Sequence, residues 1–263
     1  MTVLKIENLS IQFGGLMAVA NLNLDVKKGE LIGLIGPNGA GKTTVFNMLT
    51  GVYKPTAGRI MVQDRAGRVQ DIAPLQPYQI TALGMARTFQ NIRLFKNLTV
   101  LDNVRIGNHL NVKYRSVDGI FRLPVYYREE KWIEEECREL LKIFDIEQKS
   151  GELAKNLPYG EQRKLEIVRA LATKPHILLL DEPAAGMNPQ ETLELMDLIK
   201  YIRERFDLTI VLIEHDMKLV MGICQRIVVL DYGRMIACGT PKEVAHNPLV
   251  VKAYLGKELE NDA

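Results

Sequence analysis

The run Gly36-Pro37-Asn38-Gly39-Ala40-Gly41-Lys42-Thr43 carries the densest chemical signal in this chain. It follows the apolar stretch Leu31 to Ile35 and precedes the helix-forming stretch Thr43 to Thr50, so the pattern G-x-x-x-x-G-K-[ST] stands between an expected strand and an expected helix. Each residue type has a task there. The glycines let backbone N–H groups curl around phosphate oxygens, and the start of the helix adds positive potential. Lys42 reaches the outer phosphates, while Thr43, with Thr44 beside it, offers a hydroxyl to Mg2+. Gly36 through Thr44 are therefore candidate contacts to a nucleoside triphosphate.

Two carboxylates stand where such a ligand needs them. Asp181-Glu182 closes the apolar run Ile177 to Leu180, which puts both at the carboxyl end of a buried strand, the edge at which α/β sheets bind ligands. Asp181 would hold Mg2+, directly or through water, and Glu182 would orient and polarise an attacking water. An Asp-Glu pair by itself reads as a helix cap; the phosphate loop upstream reverses that reading. His215, in Ile213-Glu214-His215-Asp216, ends another apolar run, where an imidazole can bond a γ-phosphate oxygen.

The elements needed to position these groups are legible from periodicity. Leu4 to Val26 alternates loosely, with turns at Gly14-Gly15 and Lys27-Lys28-Gly29, and predicts short β-strands, with another strand at Gly58 to Gln63. From Thr99 to Phe144 the pattern is helical: Thr99 and Asp102 form a capping box, and Ile133, Cys137, Leu140, Leu141 and Phe144 share one face. Within it, Gly107 to Arg128 has no clean period and reads as a surface loop. Leu165, Val168, Leu171 and Ala172 line a helix that stops before Pro175, and Leu195, Ile199, Ile202 and Phe206 line another, before the strand Thr209 to Ile213. A hairpin is expected around Asp231-Tyr232-Gly233, with helices after Pro241 and Pro248. The alternation predicts an α/β fold with a mainly parallel, doubly wound sheet.

Composition excludes other classes. With 47% hydrophobic and 25% charged residues and 34 basic against 32 acidic side chains, the chain has globular composition and no cationic arm for nucleic acid. Cys137, Cys224 and Cys238 are too scattered for a disulfide framework or zinc site and read as packing residues in a reducing compartment. No apolar run approaches the ~20 residues that span a bilayer, and no export signal opens the sequence; a cytoplasmic location is expected.

Between the phosphate loop and the Asp181-Glu182 strand lies Leu157-Pro158-Tyr159-Gly160-Glu161-Gln162-Arg163, which resembles the signature motif of ATP-binding cassette (ABC) proteins. Other elements match that family in order: Phe13 resembles the aromatic that stacks on adenine, Gln90 in Arg87-Thr88-Phe89-Gln90 the Q-loop glutamine, Ala185-Gly186-Met187-Asn188 the D-loop, and His215 the switch histidine. The resemblance covers about residues 4–244. It implies a P-loop NTPase core with an antiparallel β-lobe at about 1–90 and 160–240, a helical signature lobe at about 91–172 and a helical tail at about 241–263. It also implies ATP and Mg2+ as ligands, with Gln90 joining Thr43 and Asp181 at the metal, and Lys42, Gln90, Glu182 and His215 as the catalytic set. Tyr159, Gly160 and Glu161 would touch the ATP bound by a second cassette.

Phe13-Gly14-Gly15, the stretch Asn91 to Val100, Leu165-Glu166-Ile167 and the stretch Glu214 to Met221 resemble, more narrowly, the cassettes of branched-chain amino-acid importers. Implied partners are a second cassette, identical or a sister, membrane permease subunits, and indirectly a solute-binding protein, which would hold the chain at the cytoplasmic face of the membrane. Two departures stand out. Pro158 replaces the usual signature serine and has neither hydroxyl nor N–H, leaving Gly160 and the neighbouring amides to make the contact; Glu161 and Asn188 replace glutamine and aspartate. The rival reading, a soluble ABC ATPase of translation or DNA repair, goes with paired cassettes or a long coiled coil, and the chain shows neither. A GTPase would need Asn-Lys-x-Asp, which does not occur.

Overall fold

The computed structural model describes residues 1–261, apart from the side chains of Ser116 and of residues 255–261. In chain order, strands β1 (Thr2–Phe13), β2 (Leu16–Lys27) and β3 (Leu31–Ile35) lead into helix α1 (Lys42–Leu49). Then come β4 (Ala57–Gln63), β5 (Val69–Asp71), α2 (Pro77–Ala82) and β6 (Met85–Arg87). Helices α3 (Val100–Asn108), α4 (Ser116–Ile120), α5 (Pro124–Ile143) and α6 (Tyr159–Ala172) follow. The chain continues through β7 (Ile177–Asp181), α7 (Pro189–Arg205), β8 (Thr209–Ile213), α8 (Met217–Ile223), β9 (Arg226–Asp231) and β10 (Arg234–Gly239) to α9 (Pro241–Ala245) and α10 (Pro248–Asn261). The last two residues of the expected tail lie outside the described residues. Two compact units result: Met1–Arg87 together with the chain from His176 onward, and Thr88–Pro175.

In the first unit one sheet has the order β10-β9-β3-β8-β7-β6. Its strands run parallel except β10, which pairs antiparallel with β9 at the edge. Every residue of β3, β7 and β8 is buried, as their unbroken apolar runs require of strands covered on both faces. A second, antiparallel sheet has the order β2-β1-β4-β5. Leu4, Ile6, Val19 and Leu22 from this sheet share one core with Phe46 and Met48 of α1 and with Leu179, Val211 and Val228 of the parallel sheet. The short strands expected from Leu4 to Val26 are instead two strands of 12 residues each. Bulges explain the loose alternation: the register of β1 on β2 shifts between Ile6 and Leu9, and Asn8 and Asn21 take left-handed backbone angles, each bulge displacing the period of 2 by one residue.

The second unit is helical, with α3, α5 and α6 packed on one another. Thr99 caps α3 by accepting from the Asp102 amide at 3.0 Å. Gly107 lies so close to α6 that a Cβ would meet the Arg169 carbonyl at 2.4 Å. The face expected of α5 buries Ile133, Cys137 and Leu141, with Phe144 just beyond it. The stretch Gly107 to Arg128, expected as a loop, is ordered by polar contacts that carry no period. Tyr114 packs edge-on against Tyr126 at 5.2 Å, its hydroxyl donates to Glu130 at 2.8 Å, and Glu129 accepts from the Tyr114 amide at 2.8 Å. Pro124 then opens α5, where a missing N–H costs nothing.

Cys137 and Cys224 are buried, and burial pushes their thiols up to about 11 and about 12 respectively. Cys238 is exposed, a correction to its reading as a packing residue: it lies on β10, an edge strand whose Arg234 and Met235 are also exposed.

His176 locks the start of β7. Its amide donates to the Gly84 carbonyl at 2.8 Å, and its ring Nε2 lies 2.8 Å from the Gln63 carbonyl. Burial holds the imidazole below the ordinary histidine range, with the Gln63 contact opposing and the Arg65 charge assisting. Because the folded pKa is depressed, the unfolded chain binds the proton first. The stability this confers is complete above pH ~6.5 and is lost as pH falls through the folded value. Denaturant midpoints at pH 7.5 and 5.5 should therefore differ less for His176→Gln than for the wild-type chain.

Candidate active site

The phosphate loop leaves β3, an inner strand of the parallel sheet. Gly36 adopts φ 151°, and a Cβ there would lie 2.1 Å from the Leu230 carbonyl, so no other residue fits without displacing β9. The loop curls back through Ala40, whose amide donates to the Pro37 carbonyl at 3.1 Å, and α1 begins after Gly41, in the left-handed region at φ 100°. No acidic residue occupies the first turn of α1, which leaves its positive end to an anion. Lys42 is buried, and its Nζ donates to the carbonyls of Gly36 and Pro37 at 2.6 and 3.0 Å. The ammonium is thus held within the loop it serves. Asn38, Gly39 and Thr43 are exposed, and Thr44 is half-buried.

Phe13 ends β1 with 44% of its surface exposed. Its ring meets Tyr53 edge-on at 5.2 Å, an aromatic surface that suits a nucleobase by stacking. Tyr53 was not singled out by sequence, because it falls in the irregular stretch after α1.

Asp181 and Glu182 emerge from β7 and His215 from β8, adjacent parallel strands in which Asp181 pairs with Ile213. Asp181 is buried and pairs with Arg87, whose Nη2 donates to Oδ2 at 2.6 Å. The same guanidinium donates to Asn47 at 2.7 Å and to Thr50 at 3.2 Å, tying the carboxylate to α1. Glu182 takes a left-handed backbone at φ 48°, a conformation costing on the order of 1 kcal/mol or more in a non-glycine residue. Its amide donates to the Ile213 carbonyl at 2.9 Å, and its Oε1 lies 2.8 Å from His215 Nε2. The two groups expected to act on the terminal phosphate thus meet directly, with the imidazole the more exposed.

The second unit carries Gln90 and the signature. Pro158 is the residue before α6, and no side chain caps that helix, so Tyr159, Gly160 and Glu161 form its first turn. Glu161 is held by Lys149 at 2.6 and 2.7 Å. One turn later Arg163, fully buried, donates to the carbonyls of Phe89 and Gln90 at 2.6 and 2.8 Å and to Glu166 at 2.9 Å. Glu166 in turn accepts from the amides of Phe89 and Arg93 at 3.3 and 3.2 Å. Burial raises the Glu166 carboxyl, and the Arg163 charge opposes that rise.

Comparison with known sequences agrees with this arrangement. The profile of the ABC transporter family matches residues 19–185. The chain belongs to the ATP-binding cassette family. A second profile, branched-chain amino acid ATP-binding cassette transporter, matches residues 234–260. The cassette is 46% identical over 97% of its length to the high-affinity branched-chain amino acid transport ATP-binding protein LivG of Escherichia coli, covering 98% of that protein. It is 44% identical, with the same coverage, to BraF of Pseudomonas aeruginosa, which carries the same description. It is 32% identical to the lipopolysaccharide export system ATP-binding protein LptB of Escherichia coli, covering 98% of the cassette and 99% of that protein. Among solved structures, the ADP conformation of the cassette MJ1267 superposes with a TM-score of 0.83 at 29% identity, over 97% of this chain and 99% of that one. The dimeric cassette MJ0796 superposes at 0.74 and 25% identity, over 90% and 98%. The cassette is accordingly a nucleotide-binding ATPase with a P-loop NTPase core.

Arg87 and the Arg163–Glu166 pair are the features that sequence reasoning passed over. The only signal was a charge in otherwise apolar surroundings: Arg87 ends the run Met85-Ala86, and Arg163 and Glu166 stand three residues apart on the helix that buries Leu165. Removing one member of a buried pair strands the other, at a cost of about 3–5 kcal/mol. Arg163→Met should therefore lower the unfolding free energy by that amount in urea titration, and the double variant with Glu166→Leu should recover part of the loss.

Proposed function

We propose that this cassette powers the import of branched-chain amino acids by hydrolysing ATP at the interface of two cassettes docked beneath membrane permease subunits. The observation that carries the hydrolytic part is the contact between Glu182 and His215 at 2.8 Å, beside a glycine loop whose lysine is already aimed inward. The cargo rests on the relatives named for branched-chain amino-acid transport and on the profile matching residues 234–260.

In this reading, Gly36 through Thr44 cradle the phosphates with backbone amides and Lys42, while Phe13 stacks on the base. Glu182 accepts a proton from the attacking water, and His215 orients Glu182 and donates to the γ-phosphate. Thr43 and Asp181 offer only oxygen donors, which fits Mg2+; family resemblance adds Gln90. Thr43 and Asp181, with Gln90 by resemblance, are the residues that would hold the ion. When bound it neutralises charge developing on the phosphates.

Tyr159, Gly160 and Glu161 of one cassette would cap the ATP held by the other, with backbone amides replacing the serine that Pro158 displaces. ATP then favours the closed pair by its differential affinity for it, and hydrolysis releases it. Among the described residues no helix is long and apolar enough to cross a membrane. In this reading the permease subunits supply the pore and hold the cassette at the cytoplasmic face.

Glu182→Gln should lower turnover by about 10²–10⁴-fold while preserving ATP binding; an unchanged rate would remove Glu182 from its role. Reconstituted with membrane permease subunits, the cassette should hydrolyse ATP faster when a binding protein loaded with leucine, isoleucine or valine is added. Assembly without that response would discard the cargo and keep the motor.

A further inference from the structure

Glu214 immediately precedes the switch histidine at the end of β8. It is buried, with 4% of its surface exposed, and no part of the mechanism above uses it. Its carboxylate is nevertheless fully engaged, and with backbone alone. Oε1 accepts from the Ala184 amide at 2.7 Å, in the loop that follows Glu182. Oε2 accepts from its neighbour, the His215 amide, at 3.0 Å. One side chain therefore joins the backbone on either side of the Glu182–His215 contact. Burial raises this carboxyl above the ordinary range and the nearby Glu182 charge adds to the rise, opposed by its backbone hydrogen bonds. A carboxylate is an expensive group to keep at such a place.

We propose that Glu214 is a positioning residue that fixes the spacing of Glu182 and His215 by tying their two loops together, and so governs the hydrolytic step without contributing to nucleotide binding. The sheet alone does not set that spacing. The ladder of β7 on β8 ends at Asp181 and Ile213, extended only by the bond from the Glu182 amide to the Ile213 carbonyl. Beyond that point Glu182 turns left-handed, at φ 48°, and leaves the ladder. The Glu214 carboxylate supplies the next cross-connection. Its geometry also dictates the residue type: two acceptor oxygens are needed back to back. Glutamine would turn an N–H2 donor against a backbone donor on one side, and aspartate, shorter by a methylene, would not span both loops.

The inference rests on the reading of Glu182 and His215 as the hydrolytic pair, and the test separates the two. ATPase kinetics, single-turnover hydrolysis and the affinity for a fluorescent ATP analogue would be measured on the full-length chain for Glu214→Gln, Glu214→Asp, Glu182→Gln and the double variant Glu182→Gln with Glu214→Gln. Misplacing the pair by about an ångström should lower kcat of Glu214→Gln by about a hundredfold, with analogue affinity within about twofold of wild type. The double variant should be no slower than Glu182→Gln, because the positioning residue acts through the group already removed. Glu214→Asp should show the same split between kcat and affinity. An unchanged kcat, multiplicative losses in the double variant, or loss of kcat and analogue affinity together in both Glu214 variants would overturn the proposal, the last in favour of a role in folding. An active Glu182→Gln would instead overturn the assignment of Glu182, whatever Glu214 does.

Discussion

Three buried strands running parallel side by side are the constraint on which the site depends. β8 lies between β3 and β7, with Ile32 opposite Val211 and Leu180 opposite Leu212, so all three deliver their carboxyl ends to one edge. Because each is covered on both faces, a slip of register would expose no polar face in compensation and would break the packing of every residue. The phosphate loop begins directly after β3, Asp181 is the last residue of β7 with Glu182 next, and His215 stands two residues past the end of β8. Their proximity is a property of the sheet before it is a property of any side chain.

Buried charge then does what apolar packing cannot, which is to fix irregular backbone. Arg87 holds Asp181 against α1, Arg163 and Glu166 grip the stretch from Phe89 to Arg93, and Glu214 accepts amides from two loops. In the second and third cases the amides and carbonyls held lie outside regular structure, where no ladder of hydrogen bonds is available. Such groups are costly to bury, and the hydrogen bonds and opposite charges they meet offset that cost.

The departures from the usual family motifs acquire local reasons. Asn188, where aspartate is usual, caps α7: its Oδ1 accepts from the amides of Gln190 and Glu191 at 2.9 and 3.0 Å, and Glu191 returns a bond to the Asn188 amide. A neutral amide oxygen serves that purpose as well as a carboxylate does. Pro158 has the extended backbone that precedes a helix, and its missing N–H lies outside the intrahelical ladder, so the residue fits the start of α6 without distorting it.

The α/β class, from its alternating strand and helix periods, and the phosphate loop, written as consecutive residues of fixed local geometry, were legible by themselves in the sequence, whereas Asp181, Glu182 and His215 drew their expected roles from that loop and from family resemblance. Local sequence also determined the helix start at Thr99 and the turn at Asp231-Tyr232-Gly233, whereas the helix opened by Pro124 begins within a stretch expected as a loop. The bulged length of β1 and β2, the exposure of Cys238, the pairing of Arg87 with Asp181, the grip of Arg163 on the Gln90 segment and the bridge made by Glu214 were decided by tertiary structure alone. The partners in those contacts lie far apart in the chain, 94 residues apart for Arg87 and Asp181 and 30 for Glu214 and Ala184. Periodicity reports which face of an element is buried, and carries no information about which distant polar group a buried charge will meet.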